Sequence, residues 1–361
     1  MVHLQNLTHR LAISTAHTYK TQLPMKDFAN HDLTRHNTFG IKAKCRRFIE
    51  FDSTDDLRNA LNGLTESDRP LLVIGAGSNL LLTGDYPGTV LHSAIKGWEA
   101  QPVEGGVLLR VGSGETWDDV VALCVEHGWH GAENLSLIPG EAGASAIQNI
   151  GAYGVEAKDI IYKVEAVEIE TGCTVSFSNQ ECGYAYRQSR FKADWLNRYV
   201  ITHVTYRLST AFTPRLDYGN IRSELEKQGV TAPTAAQLRD TITAIRRAKL
   251  PDPAVEGNAG SFFMNPVVCR ETYVTLAATH PSMPHYPQPD GREKIPAGWL
   301  IEQCGWKGRS LGRAGVCPTQ ALVLINKGGA TGSEILNLCK TIQKDVKQKF
   351  GIDIKPEVNI R

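Results

Sequence analysis

Ile138-Pro139-Gly140-Glu141-Ala142-Gly143-Ala144-Ser145-Ala146-Ile147-Gln148-Asn149-Ile150-Gly151-Ala152-Tyr153-Gly154 holds four glycines and four alanines in seventeen residues, mid-chain. It is neither repetitive nor charged, as a linker would be. Glycine loses the most backbone freedom on folding, so its clustering points to positive φ or to backbone pressed against a neighbour. With Ser145, Gln148 and Asn149 among the small residues, the stretch reads as a wall of backbone amides and short polar groups. Such a wall suits phosphate or a flat polar ring. A second step of this kind follows Leu71-Leu72-Val73-Ile74, a short buried strand that runs straight into Gly75-Ala76-Gly77-Ser78-Asn79-Leu80. Two glycine-rich loops in one chain point to a shared ligand. Neither is a standard nucleotide signature: Leu80 stands where G-x-G-x-x-G needs its third glycine, and no G-x-x-x-x-G-K-[ST] occurs. Both facts argue against a Rossmann domain and a P-loop kinase.

A chain of 361 residues exceeds one ordinary core and predicts two or three domains. Its 42% hydrophobic and 21% charged content is that of a globular protein. With 39 basic against 38 acidic residues it lacks the basic excess of a nucleic-acid binder, which leaves a local cationic pocket open. The eight cysteines are scattered without a C-x-x-C pair, so neither a disulfide framework nor a metal site is expected. The start, Met1 to Thr8, has no signal-peptide pattern, and no run is long enough to span a bilayer. A cytoplasmic protein with reduced thiols is the expectation.

Periodicity places the elements. Leu4, Leu7 and Leu11 mark a weak N-terminal extension. Asn37-Thr38-Phe39-Gly40 precedes a strand ending at Phe51, after which Ser53 or Thr54 caps a helix carrying Leu57, Leu61 and Leu64. Thr116-x-x-Asp119 reads as a capping box that opens a helix to Gly128. Val164–Glu170 and Thr174–Phe177 read as a hairpin, and Tyr199–Tyr206 as a strand. Thr234 caps a helix through Leu238, Ile242 and Ile245 that Pro251 stops, and Thr331-x-x-Glu334 opens one that Gly351 closes. The mixture predicts an α+β fold without a regular βαβ rhythm.

Three further stretches carry chemistry. Tyr184–Lys192 is, on the plain reading, an aromatic and basic surface strand; on the functional one it sets the Arg187 fork on an anion. Gly257–Pro266 reads as a third glycine-rich turn with one hydroxyl, Ser261, and no G-x-S-x-G elbow around it. Pro296–Glu302 and Gln320–Asn326 look like a helix and a buried strand, with Lys307 between them as a solvated lysine or a phosphate contact. Glu357, near the end, is on sequence alone an ordinary exposed terminal residue.

Together these motifs resemble the UDP-N-acetylenolpyruvoylglucosamine reductase family. The resemblance rests on Asn37–Gly40, Gly75–Leu81, Ile138–Gly154, Tyr186–Phe191, Lys249–Pro253, Gly257–Pro266, Ala297–Ile301, Gln320–Asn326 and Pro356–Val358, in the family's order. It implies a two-lobed flavin-binding unit over residues 21–245, a substrate domain over 246–348 and a terminal strand, 349–361, returning to the first lobe. Residues 1–20 fall outside it. It implies FAD, held non-covalently, with NADPH as co-substrate and a UDP-sugar as substrate, in a cytoplasmic monomer of peptidoglycan precursor synthesis, without nucleic acid or membrane insertion.

The resemblance also distributes roles. Arg187 and Glu357 would sit at the enolate end and Ser261 would donate the proton. Tyr186, Tyr218, Lys249, Asn265, Tyr286, Lys307 and Gln320 would hold the substrate, and Leu216–Asn220 marks the subclass with a tyrosine-bearing loop. Gly75, Ala76, Gly77, Ser78, Asn79 and Leu80 would meet FAD from one side. Ile138, Pro139, Gly140, Gly143, Ala144, Ser145, Gln148, Asn149, Gly151 and Gly154 would meet it from the other, with Arg246 as a cationic contact. The chain departs from the family pattern at Ala146, Met264 and Asn359. Two other classes stay open: an FAD-linked oxidase of the same broad fold, and a non-catalytic nucleotide-binding protein. Tethered oxidases use His or Cys, and neither occurs between Ile138 and Gly154.

Overall fold

The computed structural model of the chain describes residues 25–361, so the expected N-terminal extension lies outside the described residues. In the first lobe, β1 (Lys26–Asp32), β2 (Lys44–Phe51), β3 (Leu71–Ile74) and β5 (Tyr86–Ser93) form a sheet in the order β1-β2-β5-β3. The two-residue β4 (Leu80–Leu81) lies between β3 and β5 in sequence. β5 runs parallel to both β2 and β3, an arrangement that needs a crossover. α1 (Thr54–Asn62) supplies it, capped by the Ser53 hydroxyl, which accepts from the Asp56 amide. Leu57, Ala60 and Leu61, spaced one helical turn apart, are its buried face.

The second lobe is built on an antiparallel sheet. Its strands are β6 (Trp98–Val103), β7 (Gly106–Gly112), β10 (Ile161–Glu168), β11 (Thr174–Ser178) and β12 (Tyr199–Ser209), in the order β11-β10-β12-β7-β6. The expected hairpin is β10–β11, with Val164 opposite Phe177. α2 (Trp117–Glu126), the seven-residue α3 (Ala142–Gln148) and the tight pair β8 (Gly151–Ala152) and β9 (Val155–Glu156) fill the connections. α4 (Ile221–Lys227) and α5 (Ala235–Lys249) follow, and α5 opens with the capping box of Thr234 and Gln237.

One expectation fails here. Thr116 makes no side-chain cap to α2. Its backbone pairs instead with Glu141, while the Trp117 amide donates to the Gly140 carbonyl at 3.0 Å and the Ala142 amide to the Glu115 carbonyl at 2.8 Å. The Trp117 amide, the first of the helix, is thus spent on clamping the loop before α3.

The C-terminal part holds β13 (Gly257–Ser261), β14 (Val267–Val268), α6 (Arg270–Thr279), β15 (Tyr286–Pro287), β16 (Glu293–Lys294) and α7 (Ala297–Gln303). β17 (Ser310–Leu311), β18 (Ala314–Val316), β19 (Val323–Asn326) and α8 (Gly332–Phe350) follow. Gly257–Ser261 is thus a strand rather than the expected turn. It pairs antiparallel with β19, and the register slips between Asn258 and Ser261, where Gly260 takes φ +66°. This is a bulge, the glycine-dependent device that re-aims a strand's side chains. The Thr331–Glu334 capping box and a left-handed Gly351 bound α8 as expected.

The last strand, β20 (Asn359–Ile360), runs parallel to β4 of the first lobe. One continuous apolar core joins Phe48, Leu72 and Val90 of that lobe to Phe262, Leu324 and Ile342 of the C-terminal part. The second lobe has its own core around Leu109, Trp117, Val164 and Tyr206.

Candidate functional site

The two glycine stretches face each other. After β3 the chain turns through Gly77 at φ +67°, where a Cβ would lie 2.1 Å from the His36 carbonyl oxygen, so only glycine fits. Across from it Gly140 takes φ +126°, and a Cβ on Gly143 would meet that of Ser113 at 2.7 Å. The Ser78 hydroxyl donates to the Pro139 carbonyl at 3.0 Å and ties the walls together. Between them and the C-terminal part opens a cavity of about 610 Å³.

Gly75–Leu80, Ile138–Gly140, Gly143–Ser145, Gln148, Gly151 and Arg246 all line this cavity. The picture of an open amide wall needs correction, because Ala142–Gln148 is helical and the Ala142, Gly143 and Ser145 amides already donate to the Glu115, Ser113 and Glu141 carbonyls. Ser145 is buried, donating to the Ala142 carbonyl at 2.6 Å with its oxygen 2.8 Å from the Tyr206 hydroxyl. Asn149 is fully buried at φ +44°. Its side chain donates to the Ala185 carbonyl and to Glu156 and accepts from the Lys158 amide. Asn149 and Gly154 do not line the cavity. Asn149 is a scaffold residue, and a Cβ on Gly154 would sit 3.4 Å from Tyr218, marking where the tyrosine loop leans on the wall.

Tyr184–Lys192 is not the surface strand of the plain reading. It is a tight turn in which Arg187 sits at φ +55°, an uncommon conformation for a residue with a side chain. That turn delivers the guanidinium into the cavity. Nη2 donates to the Gly151 carbonyl at 2.7 Å and Nη1 to the Asn149 carbonyl at 3.3 Å. Nε lies 3.0 Å from Glu357 Oε1 but off the line of a hydrogen bond, so it stays buried without a hydrogen-bond partner. Such an orphan donor on a cation is a position prepared for an anion.

Glu357 is not an exposed terminal residue. Its amide donates to the Phe262 carbonyl at 2.8 Å, which sets it beside Ser261 and seals it into the site. Burial pushes its carboxyl pKa up from the ordinary glutamate value, against the opposing pull of Arg187 and Lys192. Burial likewise pulls Lys192 below its ordinary value; its ammonium donates to Gln148 at 3.0 Å and to the Arg187 carbonyl at 3.1 Å. Arg246, buried enough to lower its pKa, donates Nε–H to the Leu137 carbonyl at 3.3 Å. The lining carries five basic side chains, Arg187, Lys192, Arg246, Lys249 and Arg361, against two acidic ones, Glu141 and Glu357. A chain of nearly neutral charge thus contains a cationic cavity.

Ser261, Tyr218, Lys249 and Gln320 also line the cavity. Four other expected residues do not. Asn265 Oδ1 accepts from the Ala297 amide at 2.9 Å and caps α7. Lys307 is ion-paired with Glu302 at 3.0 Å. Tyr186 and Tyr286 flank Lys294, whose ammonium lies 4.9 Å and 5.8 Å from their ring centres. Lys294, Lys192 and Tyr153, which reaches Arg246 at the cavity wall, were not singled out from the sequence. Lys192 lay within a motif already noticed, whereas nothing in the sequence around Lys294 distinguishes it from a surface lysine.

The cavity fits a large anionic ligand. Its volume is about 610 Å³, its lining carries more basic than acidic side chains, and Nε of Arg187 has no hydrogen-bond partner.

Comparison with known proteins agrees. Residues 252–361 match the family model for the UDP-N-acetylenolpyruvoylglucosamine reductase C-terminal domain, and residues 46–178 match an FAD binding domain. The UDP-N-acetylenolpyruvoylglucosamine reductase of Bacteroides fragilis is 53% identical over 331 residues, 91% of this chain and 98% of the relative. The Porphyromonas gingivalis protein of the same name is 48% identical over 91% and 97%. The crystal structure of the Thermus caldophilus reductase superposes with a TM-score of 0.63 at 21% identity, covering 93% of this chain and 98% of that one. A 6-hydroxy-D-nicotine oxidase from Arthrobacter nicotinovorans shares the fold at a TM-score of 0.53 and 12% identity, over 93% and 88%.

Proposed function

The chain belongs to the UDP-N-acetylenolpyruvoylglucosamine reductase family, and from that footing we propose how its own residues carry the reaction. It is an FAD-dependent oxidoreductase that reduces UDP-N-acetylenolpyruvoylglucosamine to UDP-N-acetylmuramate with NADPH, in peptidoglycan precursor synthesis. FAD, when bound, supplies the hydride carrier between NADPH and the vinyl terminus of the substrate.

Gly75–Leu80, Ile138–Gly140, Gly143–Ser145, Gln148 and Gly151 hold the cofactor, with Arg246 facing its negative charge. Hydride addition at the vinyl terminus builds negative charge on the substrate carboxylate. Arg187 meets that charge with the one guanidinium nitrogen its scaffold leaves without a hydrogen bond. Glu357, whose carboxyl burial shifts upward against the pull of Arg187 and Lys192, stands beside it and in its protonated form donates a hydrogen bond there. Ser261, turned by the bulge at Gly260, delivers the proton to the adjacent carbon. Lys192 holds the Arg187 turn and Gln148 in register.

Tyr218, Lys249 and Gln320 line the substrate end, and the Tyr186–Lys294–Tyr286 stack offers a cation at its rim. Asn265 orders α7 behind them, and Lys307 engages from outside when it leaves Glu302.

The juxtaposition of Arg187 and Glu357 in a glycine-walled cavity that also holds Ser261 carries this reading. The functional division we propose is 21–245 for FAD, 246–348 for substrate and 349–361 as the returning tail. We further propose that the enzyme acts as a monomer. We place the enzyme in the cytoplasm, where its nucleotide substrates are made; no helix among the described residues is long and apolar enough to cross a membrane. In a steady-state assay, NADPH oxidation accelerates many-fold when enolpyruvyl-UDP-GlcNAc is added. A rate that does not change on its addition, and that tracks oxygen instead, contradicts the proposal.

A further inference from the structure

Glu141 is an anomaly in this cavity. It is a carboxylate placed between the two glycine walls that we read as holding an anionic cofactor. Its Oε2 lies 2.8 Å from where a Cβ of Gly75 would stand, and its backbone is pinned by pairing with Thr116. An uncompensated charge there would repel a diphosphate. The structure shows what compensates it. Glu141 Oε1 lies 3.2 Å from Nε2 of His92 on β5, and Nδ1 of the same ring lies 2.9 Å from Glu50 on β2. Glu50 is in turn paired with Lys26 of β1 at 2.6 Å.

We propose that His92, as an imidazolium, is a positioning residue that turns Glu141 against Gly75 and neutralises it, so that the cofactor wall tolerates an anion.

The groups around the ring are consistent with this. Burial opposes a charge on His92, but hydrogen bonds to Glu141 and Glu50 outweigh it and hold its pKa above the ordinary histidine value. For Glu50, burial is again outweighed, by hydrogen bonds from Lys26 and His92, and its carboxyl stays ionised. From the other side the His36 ring lies 5.8 Å from that of His92, centre to centre, and touches His31 at 3.1 Å through the Nε2 atoms. Burial lowers the His36 pKa, so it adds no competing charge. With His92 protonated, the four groups Lys26, Glu50, His92 and Glu141 sum to zero charge; without that proton the wall carries the full charge of Glu141. The consequence has a definite sign: affinity for FAD falls as pH rises through the raised His92 pKa.

The inference rests on the proposed placement of FAD, and its test separates the two. Protein stripped of FAD is titrated with FAD by flavin fluorescence between pH 6 and pH 9, for the wild type and for H92Q, E141Q and H92Q/E141Q. The wild type loses about tenfold in affinity over this range. H92Q is weaker than the wild type by about tenfold at pH 6, and its affinity is flat with pH. E141Q binds at least as tightly as the wild type at pH 6 and is also flat, and the double variant returns to the E141Q value. If H92Q does not fold, as read from the melting of the stripped protein, E141Q alone decides. The inference is overturned if E141Q keeps the wild-type pH dependence, if H92Q binds like the wild type, or if the double variant stays as weak as H92Q. Wild-type protein that binds no FAD overturns the cofactor placement instead.

Discussion

Replacing Ser261 by alanine slows transfer to the enolpyruvyl substrate by about 10²–10⁴-fold, the usual contribution of one positioned proton donor. Reduction of the bound flavin by NADPH continues at close to the wild-type rate. The split follows from where Ser261 stands. It is the last residue of β13, displaced by the bulge at Gly260, and it lines the cavity without belonging to either glycine wall. Removing one hydroxyl there leaves the walls, Arg246 and the Arg187 turn untouched. Rapid-mixing experiments that follow flavin absorbance separate the two halves: first NADPH alone, then substrate added to the reduced protein. Equal slowing of both halves would assign Ser261 to scaffold rather than to proton transfer.

Glu357→Ala lowers the same second half-reaction by about 10²–10³-fold, the cost of one donor aimed at developing negative charge. Glu357→Gln loses less, because an amide keeps a donor in that place. The pH dependence carries the sharper information. A carboxyl whose pKa is raised by burial is protonated, and able to donate, below that pKa. As pH rises through it, the group ionises, stops donating and closes on Arg187, whose Nε is 3.0 Å away. The second half-reaction therefore slows on the alkaline side in the wild type, and Glu357→Gln removes that limb. A glutamine variant as slow as the alanine one, with the alkaline limb intact in both, would show that Glu357 acts as a carboxylate.

The glycine stretches were legible because glycine has few other reasons to cluster. Gly77, Gly140 and Gly143 all occupy places where a Cβ strains the backbone or collides. Capped, periodic helices were legible for a similar reason: the Thr234 and Thr331 signals act locally and the structure honours them. Thr116 carried the same kind of signal and failed, because a partner distant in sequence, Glu141, took its backbone. Ser145 and Asn149 look like ligand groups in sequence, yet they hydrogen-bond to residues such as Tyr206 and Ala185 that no local pattern brings near. Glu357 shows the converse. Only the return of the chain beside Phe262 and the pairing of β20 with β4 convert a terminal glutamate into a buried one. Long-range pairing hid part of the site, and Lys294 was hidden most completely, since its two aromatic partners belong to different segments.

The most direct measurement is a single turnover without oxygen. Protein carrying one FAD is reduced with one equivalent of NADPH, freed of NADP, and mixed with enolpyruvyl-UDP-GlcNAc. The cavity built from Arg187, Ser261 and Glu357 predicts that the flavin reoxidises at once and that one UDP-N-acetylmuramate appears per flavin. A flavin that stays reduced until oxygen enters, with no UDP-N-acetylmuramate formed, would contradict it and mark the protein as an oxidase on a shared fold.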